Sequence, residues 1–328
     1  MKKIITLILA CVLIFALFTG CADKPAATPS DSPPPTENSA LPSPTDTGTP
    51  PSTPAPSETA SPPAQGFAFT AENFPRIDGS TATIPLGQAV MATLLGIPRG
   101  DTEDKIQFSG TNNAYQNLSN GTTDLLIVYE GTEEVMEWAN EQFDIAPIGR
   151  DALVFLVNVK NPVESLTVQQ LCDVYTGTVS NWNEIGGADS EIRAFQRNET
   201  SGSQVMMKKL AMQGLEMTDP ETTVVISEMG GLVDAIAAYD NSSTGIGYNV
   251  YYYVSQMKLD ENIKLLSIDG VAPTSENIGS GKYPFVNEFY VIVRKDAAED
   301  SPERLLFNWL QGDYAKGLMR SERYVPIG

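Results

Sequence analysis

The sequence predicts an α/β fold for most of its 328 residues. From about residue 67 onward, short runs of β-branched and aromatic residues alternate with amphipathic helical patterns. Such alternation is typical of largely parallel sheets with helices packed on them. Two runs, at 152–157 and 289–293, are apolar almost throughout, as expected for strands buried on both faces.

Residues 1–20 are interpreted as a secretory signal. Lys2 and Lys3 precede an apolar run that ends in small residues, and this run is shorter than a comfortable bilayer span of about 20 residues. The segment 18–21 (FTGC) resembles a bacterial lipobox, which implies cleavage before Cys21 and lipidation of its sulfur. The alternative is an ordinary cleaved signal in which Cys21 is incidental. Two acyl chains on the anchor would hold stably to a membrane.

Residues 21–66 are predicted to be a disordered, lipid-anchored linker. They are rich in Pro, Ser, Thr and Ala and hold more than half of the 23 prolines of the chain. Such a composition buries too little apolar surface to fold. At about 3.1 Å per residue, a mainly polyproline II segment of this length reaches on the order of 140 Å. It therefore suits a spacer that holds a folded module away from a membrane.

Composition excludes several classes of function. The chain has 41 acidic and 21 basic side chains, a net charge of −20 and no histidine. Without a basic surface, nucleic acid is not an expected partner. Without histidine, Ser-His-Asp catalysis and ordinary zinc sites are not available. We therefore predict no metal, no cofactor and no enzymatic activity.

The three cysteines do not provide a disulfide framework. Cys11 is lost with the signal and Cys21 is the lipidation site, which leaves Cys172. Cys172 lies at helical spacing with Val168, Leu171 and Tyr175. We therefore expect it to be a buried core thiol.

The elements of the folded module are predicted in chain order as follows. Strands are expected at 105–109, 124–129, 152–158, 191–196, 222–227, 245–250 and 289–294. A first helix begins at Pro85 and ends at Gly96, because proline favours the first turn and glycine ends helices. Thr167, Ser201 and Ser301 are predicted to cap three further helices, the second of which is ended by Gly214.

Three predicted strand-to-helix junctions, 78–83, 109–113 and 197–203, are rich in hydroxyl and small residues. Such junctions direct free backbone N–H groups and the positive end of a helix dipole to one place. Arginine adds a planar fork that can hold an oxyanion through two hydrogen bonds. We predict an anion site here; the alternative is that the hydroxyl groups only cap helices. The candidate residues are Ser80, Thr81, Thr111, Arg197, Ser201, Gly202 and Ser203.

Five ordered motifs carry a resemblance to a known family. They lie at 78–83 (DGSTAT), 148–155 (IGRDALVF), 161–167 (NPVESLT), 175–177 (YTG) with 181–187 (NWNEIGG), and 197–203 (RNETSGS). The chain resembles the type II periplasmic binding proteins of phosphate-specific ABC importers from residue 74 to the end. The resemblance is specific for the superfamily and less specific for the ligand.

The resemblance implies a two-lobed protein in which two crossover strands join two α/β lobes. Lobe I comprises 67–151 and 283–328, and lobe II comprises 152–282. The lobes close over inorganic phosphate or a related tetrahedral oxyanion, held by the candidate residues of the three junctions. The implied protein is a monomer at the outer face of the cell membrane. It performs no covalent chemistry and delivers its ligand to ABC permease subunits.

One position departs from the family pattern. The phosphate binders resembled here carry an aspartate five residues after the acid of their second lobe I strand, where it accepts a proton from the ligand. Counting from Asp124 gives Tyr129, and Glu130 follows it. Either Glu130 is turned inward by a bulge, or the ligand preference differs. Tyr129 and Glu130 are therefore further candidates for ligand binding.

The sequence leaves two other functions open. A surface sensor or adhesin that keeps the binding fold without transport fits the long spacer equally well. A secreted phosphate-ester hydrolase is disfavoured, because the sequence has no histidine, no acidic cluster at metal spacing and no Gly-x-Ser-x-Gly motif.

Overall fold

The computed structural model describes residues 67–219, 225–238 and 244–328. The predicted signal, the lipidation site Cys21 and the linker lie outside these residues. Within the described ranges, no helix is both long and apolar enough to cross a bilayer.

The helices of the described residues follow the capping and turn signals of the sequence. The α-helices are α1 (Ile84–Leu95), α2 (Thr111–Ser119), α3 (Glu133–Gln142), α4 (Val168–Tyr175), α5 (Gly202–Met206), α6 (Met229–Ala237), α7 (Ser275–Gly279), α8 (Pro302–Leu310) and α9 (Asp313–Ser321). Short 3₁₀ turns lie at Thr81–Thr83, Arg99–Thr102 and Trp182–Ile185, and π-helical turns at Met207–Met212 and Tyr253–Met257.

The strands are short except for two. They are β1 (Ile77–Gly79), β2 (Leu125–Tyr129), β3 (Phe143–Asn158), β4 (Ser165–Leu166), β5 (Arg193–Ala194), β6 (Gln196–Arg197), β7 (Val225–Ile226), β8 (Gly245–Val250), β9 (Ile263–Leu265), β10 (Ser267–Ile268), β11 (Val286–Arg294) and β12 (Val325–Pro326). The largest sheet runs in the order β1-β2-β11-β3-β8-β5.

Strand β3 changes partners along its length. Residues 143–152 pair antiparallel with β11, whereas 153–158 pair antiparallel with β8 and β9. We call β1, β2, β11, β12 and residues 143–152 the first half of the sheet, and residues 153–158, β5, β8 and β9 the second half. The parallel pairs, β1 with β2 and β5 with β8, lie at the two ends. The chain thus passes from the first half to the second through β3.

The core explains why the central strands are so apolar. Alternate residues of β2 lie in two different hydrophobic clusters: Leu125 and Ile127 in one, Leu126 and Val128 in the other. Both faces of β2 are therefore covered. The residues at 152–157 are fully buried, as predicted for this run. The predicted α/β class is confirmed.

The predicted helix starts are confirmed where the sequence contains an N-capping residue. Thr167 accepts the Gln170 N–H in a reciprocal capping box at the start of α4. The Ser301 hydroxyl caps α8 by accepting the Arg304 N–H, with Pro302 in the first turn. Helix α1 ends at Gly96, whose φ of 63° suits glycine.

Some strand predictions need correction. No strand forms at 105–109, because its main chain bonds elsewhere: the Lys105 and Ile106 N–H groups donate to the Thr102 carbonyl, and the Ser109 N–H donates to the Asp78 carboxylate. The run at 191–196 is broken at Phe195 into β5 and β6. Of the run at 222–227, residues 222–224 lie outside the described residues, and only Val225–Ile226 is a strand. The helix after Ser201 continues beyond Met206 as a π turn.

Cys172 is buried, as predicted, and its thiol donates to the Ala211 carbonyl at 3.3 Å. Burial raises its pKa, so the thiol stays protonated.

Candidate functional site

The first junction places Ser80 between two neighbouring strands. Gly79 allows this approach, because a Cβ there would lie 1.9 Å from the Ile127 carbonyl oxygen of β2. The Ser80 hydroxyl accepts the main-chain N–H of Tyr129 at 3.1 Å and lies 2.8 Å from the hydroxyl oxygen of Thr111. Ser80 and Thr111 are both buried. The first two junctions therefore meet through their hydroxyl groups.

Asp78 holds these two junctions together. Its carboxylate accepts the Ser109 N–H at 2.7 Å, the Ser109 hydroxyl at 2.6 Å and an amide N–H of Asn117 at 2.8 Å. These bonds tie the end of β1 to the loop that starts α2. Asp78 lies in the motif at 78–83, but this role could not be predicted from the motif alone.

The third junction follows β6, which pairs with β7 in a separate two-stranded sheet, and reaches the first two junctions. A Cβ on Gly202 would lie 2.7 Å from the hydroxyl oxygen of Thr111 and 3.7 Å from the Cβ of Tyr129. Only glycine fits this contact without displacement. Ser203, the next residue, is fully buried. We call Ser80, Thr111, Arg197, Gly202 and Ser203 the loop cluster.

Arg197 brings a buried positive charge to the loop cluster. Arg197 is 6% exposed. Its Nε and Nη2 donate to the carbonyls of Ile226 and Ser227, both at 2.9 Å, and its Nη1 lies 3.5 Å from the Ser203 hydroxyl oxygen. Among the described residues, no aspartate or glutamate pairs with it. Burial lowers the pKa of this guanidinium, which nonetheless stays charged at neutral pH.

Two buried polar residues fix the main chain of Arg197. Its N–H is shared between the Tyr248 hydroxyl oxygen at 3.1 Å and the Gln204 amide oxygen at 3.3 Å. The Tyr248 hydroxyl in turn donates to Gln204. Sequence reasoning did not find this support, since the pairing joins side chains far apart in the chain.

Two more predicted residues lie at the edges of the loop cluster. The Ser201 hydroxyl accepts the Gln204 N–H and so caps α5. Thr81 begins the 3₁₀ turn after Ser80 and is partly exposed.

The side chains of Tyr129 and Glu130, the two further candidates, have other partners. Strand β2 pairs in unbroken register with β1 and β11, and Glu130 lies just beyond it. The Glu130 carboxylate is ion-paired with Lys209 of the π turn. The Tyr129 hydroxyl donates to Asp151 at 2.6 Å, while its main-chain N–H bonds Ser80. The main chain of Tyr129, rather than its side chain, thus belongs to the site.

A cleft of ≈ 690 Å³ opens beside the loop cluster, between α3 and α5. Charged residues line both sides of this cleft, among them the Glu130–Lys209 pair and the Glu199–Lys208 pair.

The chemistry of the loop cluster is that of hydrogen-bond donors around one cation. Helices α2 and α5 begin at Thr111 and Gly202, so their first N–H groups lie at the loop cluster. Within the described residues, no group of three or more Cys, Asp or Glu side chains is placed to hold a metal ion. This arrangement suits an anion.

Comparison with known proteins agrees with this architecture. The chain is 26% identical over 257 residues to the phosphate-binding protein PstS of Bacillus subtilis (strain 168), covering 76% of this chain and 80% of that protein. It is 22% identical over 202 residues to the PstS protein of Borreliella burgdorferi, covering 60% and 68%. Both relatives are named for binding and not for catalysis, in line with the prediction that this chain is not an enzyme.

Solved structures show the same fold. A phosphate ABC transporter substrate-binding protein of Clostridium perfringens, with bound phosphate, matches with a TM-score of 0.62 at 20% identity, over 77% of this chain and 98% of that one. An ABC-type phosphate transport receptor of Vibrio cholerae matches with a TM-score of 0.58 at 22% identity, over 76% and 98%.

The family model described as "PBP superfamily domain" matches residues 54–317, most of the chain. The predicted fold is thereby confirmed, and the chain belongs to the PBP superfamily.

Proposed function

We propose that this protein captures inorganic phosphate, or a similar tetrahedral oxyanion, and delivers it to an ABC importer. The observation that carries the proposal is Arg197, a buried cation with no acidic partner among the described residues. A buried, unpaired charge costs several kcal/mol of folding free energy. An anion bound against it would offset that cost.

The loop cluster supplies the donors that a tetrahedral anion needs. Arg197 faces the ligand with the guanidinium N–H groups that the Ile226 and Ser227 carbonyls leave available. The hydroxyl groups of Ser80, Thr111 and Ser203 and the first N–H groups of α2 and α5 complete the shell. Thr81 and Gly202 contribute main-chain N–H groups. Ser201, whose N–H donates to the Asn198 carbonyl at 3.1 Å, contributes its hydroxyl.

The two halves of the sheet correspond to the proposed lobes, 67–151 with 283–328 and 152–282. Ser80 and Thr111 come from the first, and Arg197, Gly202 and Ser203 from the second. A ligand in the loop cluster would therefore be held between the lobes. The identity of the ligand as phosphate is supported by the names of the two relatives described above, both of which are phosphate-binding proteins.

Calorimetry tests the ligand. The full chain, purified in detergent, is titrated with phosphate, arsenate, sulfate, tungstate and molybdate at constant ionic strength. We expect phosphate to bind with a 1:1 stoichiometry, as for a monomer with one site. Absence of heat with all five anions would refute the proposal.

The proposed location is the outer face of the cell membrane, where lipidated Cys21 anchors the chain and the linker spaces the module from the bilayer. Labelling of cells with a radioactive fatty acid tests this. We expect the label on the wild type and on Cys172→Ala, and none on Cys21→Ala. Label remaining on Cys21→Ala would contradict lipidation at this residue.

Delivery to permease subunits separates the proposal from a sensor or adhesin. Deleting the coding region should abolish high-affinity uptake of labelled phosphate, and the wild-type chain should restore it. A deletion strain with normal uptake would favour the sensor or adhesin.

A further inference from the structure

Asp151 is a buried carboxylate at the point where β3 changes partners. It lies opposite Asn287 of β11, and two residues later Leu153 pairs with Val250 of β8. Only 2% of Asp151 is exposed. No lysine or arginine of the described residues pairs with it. A charge so placed needs hydrogen bonds to be tolerated.

These hydrogen bonds come from both halves of the sheet. From the first half, the Tyr129 hydroxyl donates to Oδ2 at 2.6 Å. From the segment that follows β8, the Tyr252 N–H donates to Oδ1 at 3.1 Å. The Ala152 N–H donates to the same oxygen at 2.8 Å. Asp151 therefore links the two halves beside their shared strand.

Both tyrosines are also connected to the first junction, which contains Ser80. The Tyr129 main-chain N–H donates to the Ser80 hydroxyl. The Tyr252 ring stacks on the Tyr324 ring with 3.7 Å between centroids, and the Tyr324 hydroxyl donates to the Ala82 carbonyl at 2.7 Å. The segment from Ser80 to Ala82 is thus held at both ends by residues that converge on Asp151.

We propose that Asp151 is a positioning residue for ligand binding, which acts through the Tyr129 hydroxyl to fix the Ser80 hydroxyl in the loop cluster. The inference rests on the proposed function. Asp151 itself does not touch the ligand. Its loss should loosen the first junction while leaving Arg197 and its supports in place.

The ionisation of Asp151 gives this role a signature. Burial raises its pKa to about 6, against the opposing effect of its hydrogen bonds. It is therefore ionised at pH 7.5 and protonated at pH 5.0. The titratable groups that surround it are the phenols of Tyr129, Tyr252 and Tyr324, whose pKa values burial raises. Beyond them, the ion-paired Glu322 and Arg99 act on the Tyr252 phenol. The chain has no histidine, so among Asp151 and the three surrounding tyrosines it is Asp151 that titrates between pH 5.0 and 7.5.

The test is a double-mutant cycle on the full chain with Tyr129→Phe, Asp151→Asn and the double variant. Asparagine keeps an oxygen for the Ala152 and Tyr252 N–H groups but removes the charged acceptor of the Tyr129 hydroxyl. Phosphate affinity is measured by calorimetry. We expect each single variant to bind about tenfold more weakly at pH 7.5, since one hydrogen bond to a charged group is lost. The double variant should bind no more weakly than either single one. Tyr283→Phe is the matched control, because its buried hydroxyl has no partner among the described residues.

The pH dependence separates positioning from a general loss of structure. A charge-assisted hydrogen bond is roughly twice as strong as a neutral one, so the tenfold ratio of Tyr129→Phe to wild type should fall to about threefold at pH 5.0. Titration of phosphate itself cancels in this ratio. A ratio that does not change with pH, additive single effects, or Tyr129→Phe binding like the wild type would overturn the inference. Tighter binding by Asp151→Asn, with Tyr129→Phe unchanged, would show that Asp151 acts only through its charge.

A measurement without ligand keeps the inference separate from the proposed function. If the wild type fails to bind phosphate, the proposed function fails. Hydrogen exchange of the amides at 80–83 still reports on Asp151. We expect faster exchange there in Tyr129→Phe and Asp151→Asn, and unchanged exchange in α8. Equal exchange at 80–83 in all variants would overturn the positioning role.

Discussion

Replacing Arg197 by alanine removes the one cation of the loop cluster. Arg197 is 6% exposed, so its bonds to an anion form with little competition from water. Truncating one side of a buried charge pair costs about 2–5 kcal/mol. We therefore expect Arg197→Ala to weaken phosphate binding by at least 2 kcal/mol, or about 30-fold.

Folding stability should change far less than affinity, because two effects oppose each other. The alanine variant loses the charged hydrogen bonds to the Ile226 and Ser227 carbonyls, each worth about 1.5–3 kcal/mol. It also no longer buries a positive charge that lacks an acidic partner in the described residues, which relieves a cost of several kcal/mol. We expect the unfolding free energy of the ligand-free protein to stay within about 2 kcal/mol of the wild type.

Two further variants separate charge from geometry. Arg197→Lys keeps the charge but not the planar fork, and an ammonium group cannot bond both carbonyls and the ligand as arginine does. Its affinity should fall between the wild type and Arg197→Ala. Arg320→Ala removes an exposed arginine and changes the net charge by the same amount, so it is the control for long-range electrostatics.

The assay is calorimetric titration of the four proteins with phosphate, together with thermal unfolding without ligand. Wild-type affinity in Arg197→Ala would refute the placement of the site at the loop cluster. A ligand-free Arg197→Ala protein that no longer unfolds cooperatively would show that Arg197 is a structural residue, and the reasoning on opposing effects would be wrong.

Two other changes test the contacts between the second and third junctions and across the cleft. Gly202→Ala places a Cβ 2.7 Å from the Thr111 hydroxyl oxygen, so the Thr111 side chain or the two junctions must shift, and we expect at least about tenfold weaker phosphate binding by calorimetry. Gly317→Ala, in open space on α9, should leave affinity unchanged, and equal effects of the two changes would contradict the contact. Lys209→Met breaks the half-exposed ion pair with Glu130, which should cost at most about 1 kcal/mol of binding free energy and less at high salt. The exchanged pair Glu130→Lys with Lys209→Glu should restore the affinity, and failure to do so would show that the ion pair does not act across the cleft.

The helix starts were predictable from the sequence because their signals are local. Thr167 and Gln170 form a capping box within four residues, and Ser301 with Pro302 needs no distant partner. Strands need such a partner. The run at 105–109 has a strand-like composition, but Asp78, about thirty residues earlier, takes the Ser109 N–H that a ladder would use.

The same distinction holds at the site. The hydroxyl-rich loops and Arg197 could be read from short segments, as could Gly202 within its motif. The supports could not, since Gln204 and Tyr248 meet only in the folded protein. Nothing in the residues around Asp151 indicated that Tyr129 would turn its hydroxyl toward it.

The net charge of −20 need not prevent this protein from holding an anion. At physiological salt, charges are screened beyond about 8 Å, so only groups near the ligand decide its affinity. Beside the loop cluster, the carboxylates of Glu130 and Glu199 are each ion-paired with a lysine. The unpaired carboxylate of Asp151 is separated from Ser80 by the length of the Tyr129 side chain. Asp78, beside Ser80, has no cationic partner among the described residues, but its carboxylate accepts hydrogen bonds from Ser109 and Asn117. Arg197 is then the charge expected to face the ligand, and the proposed site would attract an anion although the chain as a whole repels it.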